Sequence, residues 1–431
     1  MVIRLVILAL LSALSPPSHT AAPPVKAGPP SAAVASASVP WVGTWAAAQV
    51  APAKTGLSHL GFKNQTVRDI VHLSVGGTEV RIRISNLFGT SPLRIADVRI
   101  ALLQSGALTV PGTSHRVTFG GNDQVTVPAR EREFSDPVRL HVGAGQNLAV
   151  SIFVKLATGP ATWHPAAIAR SYYSVAGDHS AASGAAAYQH PMGAWYFLDG
   201  VDVVNPAIDG AVVTFGASTS DGVGSTMGAN RRYPDDLARR LLGLPAGLRL
   251  SVLNAGISGN QLLAGGSTSG QSGLSRFARD ALGQTGVRVV IVWEGTNDIG
   301  VHPDMTASQI INGYLRLIAA AHARGIAVVG ATLQPDEGAT YYTAQGNRVR
   351  EQVNRWIRTS GAFDGVVDFD QEVRDPADPA ELLPAFDSGD HLHPNDAGYQ
   401  AIADSIDTWA LAGLAIGYRA SGAKYRSVQA A

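Results

Sequence analysis

The sequence predicts a chain of two unlike parts: an antiparallel, sandwich-like β region followed by an α/β domain built on a parallel sheet. Three observations carry this reading. Up to about Tyr196 short alternating stretches recur between turn residues, with no long helical pattern among them. From about Val201 onward, strand-like apolar runs alternate with helical patterns, which is how parallel strands and their crossovers read. The run VRVVIVW at 287–293 is almost wholly apolar, as befits a parallel strand buried on both faces.

The elements follow in order. Arg4 precedes the short apolar run from Val6 to Leu14, and small residues follow at Thr20, Ala21 and Ala22, so 1–22 reads as a secretory signal. The apolar run is too short to span a membrane. Residues 23–40, mostly Pro, Ala, Ser and Gly, read as a flexible linker. The β-rich region is assigned to 41–196. Within it Val80, Ile82 and Ile84 alternate with Arg81 and Arg83, and Leu148, Val150, Ile152 and Val154 share one face. Several such strands suggest a sandwich. Trp163, His164, His179, Tyr188, His190, Trp195 and Tyr196 could line a sugar-binding cleft, but the preferred reading is core and domain interface.

The α/β domain is assigned to 201–415, with a C-terminal tail at 416–431. Strands are expected at 211–215, 249–254, 287–293, 326–333 and 366–368. Helices are expected near 231–242, with Leu237, Leu241 and Leu244 on one side, and after the capping box of Thr306 and Gln309. Further helices run through Val349, Val353 and Trp356 and start near Asn395. Five parallel strands with helices on both faces make a flavodoxin-like, three-layer arrangement.

Composition removes several classes of function. The chain has 431 residues, enough for two cores. Its 33 basic and 33 acidic residues balance, and no basic stripe stands out, which argues against nucleic acid as a partner. With no cysteine it has no disulfides, no thiolate metal site and no cysteine nucleophile. Export without disulfides fits a periplasm or the external medium.

Candidate chemistry collects at strand ends. The strand 211–215 stops at Gly216 and is followed by Ala217-Ser218-Thr219-Ser220, a place where an open sheet presents a residue to ligand. Ser218 needs a base to act as a nucleophile. The loop Asp387-Ser388-Gly389-Asp390-His391-Leu392-His393 supplies His393 as base, with Asp390 three residues earlier to hold the imidazole. The N–H groups of Ser218 and Gly259 and the side-chain amide of Asn297 can receive a developing oxyanion. His391 and His393 with Asp387 and Asp390 also admit a metal reading, which the serine, glycine and asparagine loops make unnecessary. Asp221 and Asp298 read as loop braces and Trp293 as core. Glu294 and His302 are weaker candidates for substrate contact, exposed polar residues being the plainer reading.

Four blocks of this region resemble the SGNH hydrolases, also called GDSL esterases or lipases: GASTSDG with Ser218, NAGISGN with Gly259, GTND with Asn297, and DHLHPN with Asp390 and His393. They occur in the family's order across about 211–410, and the preceding β region resembles that of a two-domain bacterial secreted subgroup. The resemblance implies a carboxylic ester hydrolase that uses an acyl-serine intermediate and neither metal nor organic cofactor. It implies ester substrates, with acetylated carbohydrate and acyl lipid as the two classes in view. The rival reading, from another functional class, is a glycan-binding surface protein whose hydrolase domain has decayed. Ala217 is the visible departure, since the family usually has Asp there.

Overall fold

The sheet that carries the candidate site is parallel and five-stranded: β1 (Gly210–Gly216), β2 (Leu250–Gly256), β3 (Val287–Trp293), β4 (Ala327–Ala331) and β5 (Gly365–Val367), in the spatial order β2-β1-β3-β4-β5. A computed structural model describes residues 41–266 and 268–417. The expected signal, the linker and most of the C-terminal tail lie outside the described residues. Val212, Val213, Val290 and Ile291 are fully buried where β1 meets β3, so these strands are apolar on both faces.

Helices Tyr233–Leu242 and Asp396–Ser405 pack together, and helices Gly273–Asp280, Ala307–His322 and Ala344–Thr359 form a second group. Their starts are written in the sequence. Thr306 accepts from the Gln309 N–H while the Gln309 side chain accepts from the Thr306 N–H at 2.9 Å. Thr343 caps the next helix through the Gly346 N–H at 2.9 Å, and Asn395 caps Asp396–Ser405 through Ala397 and Gly398. Each such cap contributes about 1 kcal/mol. Among the described residues no helix is long and apolar enough to cross a membrane.

Among the described residues the β-rich part holds, beside two short two-stranded sheets, two larger antiparallel ones. One runs in the order Trp41–Ala46, Leu198–Val204, Val80–Ser85, Arg132–Phe134. The other centres on Gln65–His72, Asn147–Val154 and Asp97–Ser105. Leu148, Val150, Ile152 and Val154 are fully buried, as their alternation requires. The opposite face of that sheet is also covered. Arg68 lies there with its Nε on Ser151 Oγ at 2.8 Å, its Nη atoms on the carbonyls of Ala107 and Ala182, and its guanidinium over the Tyr188 ring.

Two details differ from the sequence reading. Strand Leu198–Val204 pairs with Trp41–Ala46 and Val80–Ser85, so it belongs to the antiparallel sheet, and the parallel sheet starts only at Gly210. Arg83 is buried, because the polar face of its strand meets the α/β part: Nε binds Asp199 at 2.6 Å and Nη2 reaches Gln284 at 3.3 Å. Gly43 N–H on Thr285 O (3.0 Å) and Val252 N–H on Ser74 Oγ (3.2 Å) bind the same seam. The described residues form one compact unit. His164, Tyr188, Trp195 and Tyr196 are buried within it, in keeping with the core-and-interface reading, while His190 is exposed.

Candidate active site

At the carboxyl end of β1 the chain passes through Ala217 into a single helical turn, Ser218–Asp221, closed by Gly222 in the left-handed region. This turn lies flush against the end of β2. A Cβ on Gly256 would sit 2.3 Å from the Asp221 N, so only glycine lets the two meet. Ser218 is half-buried. Its Oγ lies 2.8 Å from His393 Nε2, and His393 Nδ1 lies 2.6 Å from Asp390 Oδ2. Serine, histidine and aspartate are thus connected in the order an acyl-transfer site needs.

The loop 387–394 fixes this geometry by its own hydrogen bonds. Asp390 Oδ1 accepts the N–H groups of Leu392 (3.0 Å) and His393 (2.8 Å). Asp387 Oδ1 accepts those of Gly389 and His391, and the Ser388 N–H closes on His393 O at 3.0 Å. Partial burial alone would raise the Asp390 carboxyl, but the bonds from His393 and Leu392 outweigh it and hold it below the ordinary carboxylate range. An ionised Asp390 requires a proton on Nδ1, which leaves the Nε2 lone pair to accept the Ser218 hydroxyl.

The oxyanion candidates come from neighbouring loops. Gly259 has a φ of 76° and is exposed. Asn297 opens the short helix after β3, and its Nδ2 donates to Asn260 O at 2.9 Å. That engages one amide hydrogen and leaves the second. Asn260 O only accepts, which fixes the sense of the amide, and the Tyr341 hydroxyl approaches Oδ1 at 3.4 Å. Among the described residues the N–H groups of Ser218 and Gly259 meet no acceptor. Asp298 accepts the Leu262 and Leu263 N–H groups and Asp221 accepts from Ser258, so both act as braces. Ala217, buried, caps the turn that Ser218 begins without any side-chain bond. The turn is held instead from its other end, through Asp221.

Glu294 does not reach substrate. It lies wholly beneath the site, where burial pushes its carboxyl up to about 8 although Arg276 pulls it down. Arg276 itself escaped the sequence reading. It is fully buried and gathers the strand ends: Nη2 on Gly216 O at 2.8 Å, Nη1 on Ala255 O at 2.7 Å, and Nε on Asn260 Oδ1 at 2.7 Å. Its guanidinium stacks on Phe215. No motif marks it, since its spacing is that of any residue on an amphipathic helix. His302 bonds Gln261 at 2.8 Å, and His391, exposed, pairs with Asp387 at 3.1 Å.

A parallel five-stranded sheet, with serine, histidine and aspartate meeting at its strand ends, makes this part a three-layer α/β domain of the SGNH kind. Residues 214–401 match the GDSL-like Lipase/Acylhydrolase family and form such a domain, and the protein is a carboxylic ester hydrolase. No curated protein matches the chain. Solved structures similar to it include a putative lipolytic protein of the G-D-S-L family from Desulfitobacterium hafniense (18% identity, 45% of this chain and 96% of that one, TM-score 0.36). A carbohydrate acetylesterase from Sinorhizobium meliloti (14%, 47% and 96%, 0.37) and an aryl esterase of M. smegmatis (16%, 49% and 99%, 0.37) are similar in the same measure. These likenesses bear on neither substrate nor mechanism.

Proposed function

We propose that the protein is an exported serine esterase that removes short acyl groups, acetyl above all, from the hydroxyls of carbohydrates. One observation carries the mechanism: the continuous contact from Ser218 Oγ through His393 to Asp390. Ser218 Oγ attacks the ester carbonyl carbon as its proton passes to His393 Nε2. The carbonyl oxygen takes up the negative charge beside the Ser218 and Gly259 N–H groups and the second Asn297 amide hydrogen. When the tetrahedral species collapses, His393 returns the proton to the departing alkoxide and the acyl group stays on Ser218. Water then attacks the acyl carbon, His393 takes the proton of that water, and collapse releases the acid and restores the serine. Asp390 keeps Nδ1 protonated throughout and stabilises the transient imidazolium.

The substrate class is supported by the setting of these groups. Asp390 is half exposed at the rim, beside the exposed His391 and the polar Ser388 and Gly389, which suits a hydrated polyol more than an acyl chain. Export is supported by Arg4 and the apolar run 6–14. The test compares p-nitrophenyl acetate, longer acyl esters, lysophospholipid and acetylated polysaccharide. Ser218→Ala and His393→Ala are each expected to abolish nearly all turnover, with the double variant little worse than either. Wild-type turnover by Ser218→Ala would overturn the mechanism; preference for lysophospholipid would overturn the substrate class alone.

A further inference from the structure

We propose that His164, contributed by the β-rich part, is a positioning residue of the ester-cleaving site, acting as a buried imidazolium that holds Asp221 and through it the Ser258–Gly259 loop. The inference rests on the acyl-serine reading above.

The geometry around the ring carries it. His164 is 2% exposed. Its Nδ1 lies 2.7 Å from Ala48 O, and its Nε2 lies 2.9 Å from Asp221 Oδ1 and 3.2 Å from Ala166 O. Carbonyls and carboxylates only accept hydrogen bonds, and a neutral imidazole carries one N–H. A neutral ring would therefore set one bare nitrogen against an oxygen lone pair in a buried setting, which is costly. The other Asp221 oxygen, Oδ2, accepts both the Ser258 N–H (2.9 Å) and the Ser258 hydroxyl (2.7 Å). Two donors on one oxygen favour the ionised carboxylate, so the pair is imidazolium and carboxylate.

Asp221 ends the one turn that Ser218 begins, and Ser258 precedes Gly259. The pair therefore ties the nucleophile turn to the loop that presents an oxyanion donor, and anchors both to the β-rich part. A displacement of about 1 Å at a reacting centre can cost on the order of 10²-fold in rate. Burial, the largest influence on the ring, lowers its proton affinity, but Asp221 and the two carbonyls outweigh it, so the net displacement is upward.

Other charges face the pair. His72, Arg232 and Asp235 line the same small cavity, about 30 Å³ in volume, that His164 and Asp221 line. Arg276 and Tyr399 also feel the charge of Asp221. Among them Asp221 makes the direct bond. As pH rises through the ring's raised value the proton is lost, Asp221 loses its partner, and the loop loosens. The effect is on the alkaline side and is absent below the ordinary histidine range.

The test uses the full chain. In wild type, ¹⁵N shifts of the histidine rings report protonation directly; both His164 nitrogens are expected to carry protons at pH 7.5, and the ring is expected to titrate with the same midpoint as an alkaline fall in kcat on p-nitrophenyl acetate. His164→Gln, which keeps an uncharged donor toward Asp221, is expected to lower kcat roughly 10- to 100-fold with KM nearly unchanged and to lack that alkaline fall. A neutral His164 ring at pH 7.5 would overturn the inference whether or not the variant folds. So would a folded His164→Gln with wild-type kcat and the same alkaline fall. Failure of the acyl-serine reading would appear separately, as activity surviving in Ser218→Ala.

Discussion

Asn297 gives one amide hydrogen to Asn260 O and keeps the other, so its side chain is at once a brace and a candidate donor. The two roles separate in kinetics. If the free hydrogen meets the oxyanion only as charge develops, its loss is felt in kcat and not in KM. Asn297→Ala is expected to lower kcat by about 10²- to 10³-fold with KM little changed, read by steady-state kinetics on p-nitrophenyl acetate. A change confined to KM would assign Asn297 to ground-state binding. At this scale much of the site was legible. Ser218, Gly259, Asn297, Asp390 and His393 each stand in a short block whose residue types suit their chemistry. Arg276 was not legible, and His164 was read only as core and interface, without its bond to Asp221, because a buried ionic residue gives no signal in sequence until its partners are known.

At the scale of elements, the turn Ser218–Asp221 and the ends of β1, β2 and β3 depend on a buried ionic hub. Arg276 in helix Gly273–Asp280 reaches Gly216 O, Ala255 O and Asn260 together, with Glu294 at 3.4 Å. Glu294 binds its proton more tightly folded than unfolded, since burial raises it from the ordinary glutamate value to about 8. Between those values the folded state holds more protons than the unfolded state, so this group makes stability fall as pH rises. Urea unfolding at several pH values is expected to show that fall in wild type and a shallower one in Glu294→Gln. Equal slopes in the two proteins would refute it. Removing the arginine is a different matter: Arg276→Met takes a donor away from Gly216 O, Ala255 O and Asn260 Oδ1 and leaves Glu294 buried without its cation, and is expected to cost about 3–5 kcal/mol.

On the scale of the whole molecule, the β-rich part serves the α/β part as more than an appendage. Strand Trp41–Ala46 packs against β2, and Arg83, Ser74 and His164 each send a polar group across the seam. A fragment beginning at Asn205 would bare Val252 and Leu253, both buried in the full chain, and would leave Asp221 without His164. It is expected to aggregate or to lack activity, measured by size-exclusion chromatography, circular dichroism and ester turnover. A soluble fragment with the full chain's kcat would show that the β-rich part does not support the site.

The sequence by itself determined the order and kind of the elements in the α/β part, since apolar runs, capping residues and glycine stops are local signals. It also determined which loops hold the nucleophile, base and oxyanion candidates, because strand ends of a parallel sheet share one edge. Only the tertiary structure decided that Leu198–Val204 belongs to the antiparallel sheet, since a strand's partners lie far along the chain. Only it decided that Arg83 and Glu294 are buried, because alternation and polarity speak of one face and not of what covers it. And only it joined His164 to Asp221, 57 residues apart, because a hydrogen bond between distant segments exists in the packing and nowhere in the local sequence.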